Sequence, residues 1–141
     1  MISRRTLRLL SKLAARNVAT AERRAADALA KVQALEREAA MIGNYTEQLM
    51  ASLRGRTCRG HDFRVTTGFM TASLKAQATA EAAMQRGEQA KLAAFDRLST
   101  EMQRRDALDT AHEAVAADEL RSLERRSERL ASPTSAAASK R

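Results

Sequence analysis

Residues 18–53 read VATAERRAADALAKVQALEREAAMIGNYTEQLMASL, and this stretch decides the fold. Steps of three and four alternate without a slip through Val18, Ala21, Ala25, Ala28, Val32, Leu35, Ala39, Ile42, Thr46, Leu49 and Leu53. Thr46 is the one polar member. Alternating threes and fours average 3.5 residues, the repeat that keeps a seam straight along a slightly supercoiled helix. A compact domain has no use for so long and narrow a stripe. The pattern predicts an all-α fold, a long two-helix antiparallel coiled-coil hairpin.

Working outward, the first helix is expected over about 4–54, starting near Ser3 or Thr6, a length of about 75 Å. Four of the five glycines lie between Gly43 and Gly68, which places a bend at about 55–62, Gly55 to Asp62. Asp62, Thr66, Thr67 and Thr71 are candidate caps for a second helix over about 63–131. Its stripe reads Ala76, Ala80, Ala83, Gly87, Ala90 and Ala94, then a stutter through Leu98 and Met102. Further on, Leu108, Ala111 and Val115 form one run, and Ala116, Leu120, Leu123, Ser127 and Leu130 another. Pro133 and the restricted Ser132 before it are expected to end this helix near Leu130. Residues 132–141 then form a small, polar, disordered tail. The hairpin thus occupies 1–131.

Composition agrees with a slender fold. Thirty of the 141 residues are alanine, and the aromatics are three Phe and one Tyr, with no Trp. Side chains this small fill no wide core but let two helices approach closely. The net charge of +8 is uneven: residues 1–64 hold 13 bases against 6 acids, and residues 65–141 hold 12 against 11. Arg4, Arg5, Arg8, Lys12 and Arg16 share the first sixteen residues with no acid. A basic end attracts an acidic protein, a nucleic-acid backbone or an anionic bilayer. The Arg121–Arg129 run alternates with Glu124 and Glu128 and reads as self-neutralised helix surface. A single cysteine, Cys58, forms no internal disulfide and suits a reducing compartment. Lys12 and Arg16 interrupt Leu7, Leu9 and Leu10 too soon for a secretion signal, so a cytoplasmic protein is expected.

No enzyme is expected. Gly55 and Gly60 stand at the separation of a phosphate-binding loop, but His61 occupies the place of its lysine. Cys58, His61 and Asp62 have metal-ligand spacing yet lack a fourth ligand, with His112 far along the second helix, so neither metal nor cofactor is expected. His112 itself is expected on a solvated or seam-edge face. Tyr45, beside the seam, either forms a contact patch with the neighbouring aliphatics Ile42 and Leu49 or packs on Phe69 across the bend.

The chain resembles the flagellar export protein FliJ family over most of its length. The resemblance rests on the start Thr6-Leu7-Arg8-Leu9-Leu10-Ser11-Lys12-Leu13-Ala14, on Met41-Ile42-Gly43-Asn44-Tyr45-Thr46-Glu47-Gln48-Leu49, on Phe69-Met70-Thr71-Ala72-Ser73-Leu74, and on the bend's position. It implies a stalk similar to the coiled coil of the rotary ATP synthase γ subunit. Such a stalk sits in the pore of a hexameric flagellar export ATPase (FliI-like). It contacts the cytoplasmic domain of an export gate (FlhA-like) and handles export chaperones, so it touches the membrane only through the export complex. By matching position, the resemblance puts the gate contact at Ile42, Tyr45, Phe69 and Ala76. Leu49 stands where the family often has a second Tyr, and a helix-two leucine is shifted to Leu74. Leu7, Leu10 and Leu13, in excess of one seam, with Arg8 and Arg16, are the expected ATPase-ring contact.

Competing readings are the stalk of a virulence type III secretion system and a basic coiled coil that binds nucleic acid. The near-neutral second half, and the lack of aromatics among the basic residues, stand against nucleic acid. A peripheral membrane anchor at 1–16 has an apolar face of only a few Leu. With so thin a core, the isolated chain is expected to melt below ~70 °C by circular dichroism, and a monomer melting higher contradicts the reading.

Overall fold

The computed structural model describes residues 2–54 and 60–139, with side chains at 2–54 and 63–132. Two helices account for nearly all of it: α1 over Arg4–Leu53 and α2 over Gly60–Ser139. They pack against each other as a two-helix hairpin, and the described residues include no strand. The bend expected at 55–62 falls largely on residues 55–59, outside the described ones, and α2 is already helical at Gly60.

Ser3 caps α1 as its sequence position suggests. Its Oγ accepts from the Thr6 backbone N–H at 3.2 Å, and its carbonyl accepts from the Leu7 N–H at 3.0 Å. Thr67 and Thr71 are not caps. They lie inside α2, where their hydroxyls donate to the carbonyls of Phe63 and Thr67, four residues back. Nor does the helix stop at Leu130: α2 continues through Pro133 to Ser139, in place of the expected tail. A proline ring holds φ near the helical value, so a helix that forgoes one hydrogen bond passes through it.

The chain divides into two compact units, Ala21–Leu98 and a second made of Met1–Thr20 with Ser99–Arg141. In Ala21–Leu98 the predicted α1 stripe is the inner face. Val32, the most buried side chain, is 2% exposed, Ala21, Ala25 and Thr46 are buried, and the remaining stripe members are half-buried. Thr46 is accommodated by donating its hydroxyl to the Ile42 carbonyl at 2.9 Å. Opposite them, α2 covers Met70, Ser73, Gln77, Ala80, Met84, Gly87, Lys91, Ala94 and Leu98, in unbroken steps of three and four. One position per heptad is small (Ser73, Ala80, Gly87, Ala94), and the other carries a long side chain. Small residues set the approach of the helices, and flexible Met, Gln and Lys stems cover the gaps between them.

This corrects the stripe expected on α2. Ala80, Gly87, Ala94 and Leu98 are in it and Ala83 flanks it, but Ala76 and Ala90 are exposed. There is no stutter, because Glu101 holds the next inward position and Met102 faces outward. In the unit containing the chain ends, the α2 ladder runs on through Arg105, Leu108, His112, Val115 and Glu119, while Ala111, Leu120, Leu123, Ser127 and Leu130 are exposed. There α1 contributes Leu7, Ser11, Ala14 and Val18, so its repeat begins at Leu7. The Ser11 Oγ is buried without a hydrogen-bond partner. Arg4 Nη1 meets Glu119 Oε2 at 2.9 Å across the pair, an exposed contact worth little energetically.

Gly87 leaves space that side chains of α1 fill. A Cβ added there would stand 2.9 Å from Leu35 Cδ1 and 3.4 Å from Val32 Cγ2. Gly87→Ala displaces only the end of a flexible leucine and gains helix propensity, so its stability should stay within about 1 kcal/mol of the parent. Gly87→Leu must part the helices, costing roughly 2 kcal/mol and lowering the melting temperature by roughly 4–8 °C in circular dichroism.

Candidate functional site

The described residues hold no cluster of three or more His, Cys, Asp or Glu suited to a metal ion. Cys58 and the side chains of His61 and Asp62 lie outside the described residues. His112 takes a half-buried seam position, further inward than a solvated face. Among the described residues, the hollows along the helices are open grooves.

The most distinctive surface lies in the Ala21–Leu98 unit. A groove of about 490 Å³ runs between the helices, with Leu35, Glu38 and Ile42 on one side and Ala72, Ala76, Ala80 and Ala83 on the other. Lys75 and Thr79 complete its wall. Alanines at steps of three and four on α2 leave this side of the pair low. The groove therefore joins Ile42, half-buried in the seam, to exposed Ala76.

Tyr45 and Phe69 belong to the same flank. Each immediately precedes a seam residue, Thr46 or Met70, as Glu38 and Ala76 precede Ala39 and Gln77. In an antiparallel pair these pre-seam positions of both helices share one side. Both aromatics are 57% exposed, so neither is sequestered against the other across the bend. The four residues expected to face a gate thus divide into two groove-lining residues and two exposed rings on one flank. Leu49 is half-buried in the seam, and Leu74, following Ser73, is exposed on the opposite flank. Met41 is a further exposed apolar residue near Tyr45 that composition alone did not single out.

The residues expected at an ATPase ring are redistributed. Leu7 is 3% exposed and belongs to the α1 seam, since four residues separate it from Ser11 and seven from Ala14. Leu10 and Leu13 are exposed, as are Arg8 and Arg16. The polar Ser11 hid this extension of the stripe in the sequence. Within Arg121–Arg129, Arg121 pairs with Asp118 at 3.6 Å, and Arg125 Nε donates to the Arg121 carbonyl at 3.2 Å.

No family model, curated protein or solved structure matches the chain. Among the described residues no helix is long and apolar enough to cross a membrane.

Exposure separates surface from scaffold in a measurable way. Tyr45→Ala and Phe69→Ala should each change unfolding free energy by no more than about 0.5 kcal/mol. Val32→Ala should cost roughly 1–3 kcal/mol in the same denaturant titration, because it empties the most enclosed seam position.

Proposed function

We propose that this chain is a non-enzymatic stalk of the bacterial flagellar type III protein export apparatus. It stimulates the hexameric export ATPase and contacts the export gate and export chaperones, serving flagellum assembly and motility. Its place is cytoplasmic, at the periphery of the inner-membrane export complex. The observation carrying this reading is the flank of the Ala21–Leu98 unit, where Tyr45 and Phe69 stand exposed beside a groove containing Ile42 and Ala76. The groove adjoins two exposed rings, and exposed aromatics beside a shallow apolar hollow are the usual anchors of a protein interface. Support also comes from the packing of two long helices through small side chains, which leaves surface where an enzyme would have a pocket.

In this reading the acid-free start of α1 meets the ring through Leu10, Leu13, Arg8 and Arg16, while Leu7 holds α1 to α2. Charge guides approach to an acidic or polar pore without deep anchoring. The stalk of a virulence type III secretion system is the alternative reading, and the ATPase and gate that the chain matches distinguish the two.

Steady-state hydrolysis by the matching hexameric ATPase, with and without the full chain, tests the proposal. Stimulation is expected, and its absence with both the flagellar and the virulence enzyme refutes the stalk. Leu10→Ser/Leu13→Ser should remove stimulation yet leave gate binding intact. Tyr45→Ala/Phe69→Ala should weaken gate binding by roughly 10-fold or more while sparing stimulation.

A further inference from the structure

In the Ala21–Leu98 unit the two flanks of the helix pair differ in chemistry. Residues that follow a seam position share the flank opposite Tyr45 and Phe69. From Glu22 to Met50 on α1 and from Thr71 to Phe95 on α2, the charged residues of that flank are Glu22, Glu36, Glu47, Glu81 and Glu88, with no base. Val32 and Leu35 stand against Gly87, and this register sets Leu29 level with Leu92 and Ala26 level with Phe95. Leu29, Leu92 and Phe95 are 38%, 60% and 43% exposed. The pre-seam flank is the reverse, since within this unit Arg24, Lys31, Arg86 and Arg97 outnumber Asp27 and Glu38. Its surface is low there, with Ala90 and Ala93 exposed and a hollow of about 240 Å³ walled by Ala21, Arg24, Ala93, Ala94 and Arg97. Among the described residues Arg24, Lys31, Arg86 and Arg97 make no ion pair. Of the five glutamates only Glu88 does, holding Lys91 at 3.2 Å.

We propose that this unit stacks side by side on a second copy of the chain, with Leu92 and Phe95 of one copy seated on Ala90 and Ala93 of the next. Consider a copy laid alongside in the same direction without axial shift. Each residue after the seam then lies near the residue before the seam on the same helix of its neighbour. Glu22 meets Arg24, Glu88 meets Arg86, and Phe95 lies beside Arg97, whose guanidinium stacks readily on an aromatic ring. Glu36 falls between Lys31 and Glu38 and contributes least. Opposite charge selects this pairing, because two acidic flanks repel each other, as do two basic ones. A basic helix of another protein would suit the acidic flank but leave Arg24, Arg86 and Arg97 without counter-charge, whereas a second copy answers both. Since the two surfaces differ, the contact is heterologous, and a pair keeps one acidic and one basic flank free for further copies. The inference goes beyond the stalk reading and does not depend on it. No residue of this contact belongs to the proposed ring or gate surfaces.

Sedimentation velocity of the full chain, under reducing conditions and over rising concentration, tests the proposal. Two variants each remove one face, Leu92→Ser/Phe95→Ser and Arg86→Glu/Arg97→Glu, and circular dichroism melting checks that both stay folded. The parent is expected to form dimers and larger species that diminish as salt is raised. Each variant alone is expected to associate about 10-fold or more weakly. An equimolar mixture of the two should regain dimers but nothing larger, because each variant retains one intact face of the opposite kind. A parent that stays monomeric across the whole range overturns the proposal. So does a mixture no more associated than its components, which would leave the acidic flank to a basic segment of another protein. Should Leu92→Ser/Phe95→Ser unfold, Glu22→Lys/Glu88→Lys takes its place in the same mixture. The assay contains neither ATPase nor gate, so its failure is distinct from failure of the stalk reading.

Discussion

Close approach of α1 and α2 at Gly87 is the constraint on which the other features depend. There α2 offers no side chain, and Leu35 and Val32 of α1 occupy the space a Cβ would need. Small residues recur at heptad spacing, Ala80 and Ala94 one heptad from Gly87 and Ser73 two heptads from it. Small residues on α2 let the larger side chains of α1 seat against its backbone, which adds dispersion contacts to the small area each alanine buries. The same closeness leaves little room between the helices, so anything the protein binds must be met on its flanks.

The two helices reach that arrangement from unequal chemistry. α1 presents an almost wholly apolar stripe, whereas α2 answers it with Gln77, Lys91, Glu101, Arg105, His112 and Glu119 at covered positions. These long side chains are half-buried, with their stems along the seam and their polar ends able to reach its edge. A polar residue at a coiled-coil position commonly lowers stability and fixes register. Here it also makes α2 a poor partner for anything except a stripe as small and smooth as α1's.

This asymmetry explains how legible the protein was. The α1 stripe is legible from Val18 onward because every member there except Thr46 is apolar, whereas the polar Ser11 masks its extension back to Leu7. Leu7 was consequently assigned to a partner instead of the fold. On α2, counting alanines traced a stripe that coincides with the true seam at only alternate members. Periodicity of hydrophobicity carries no signal where a lysine or glutamate provides the covering methylenes. The exposed aromatics were easier to pick out than the scaffold beneath them. Tyr45 beside the seam and Phe69 after the bend were visible as aromatics in a chain nearly without them. The groove beside them depended on the α2 register and could not be read until that was known.

The alanine content of the α1 stripe also bears on synthesis. Translation proceeds at roughly 5–20 residues per second, so α1 is complete several seconds before most of its partner has emerged. During that interval a stripe of Leu and Ile would recruit the same stripe on neighbouring nascent chains. Ala14, Ala21, Ala25, Ala28 and Ala39 make it too weakly adhesive for that, yet smooth enough to be zipped shut as α2 arrives. The small residues that let the finished helices fit together thus also weaken the pull of one unfinished stripe on another.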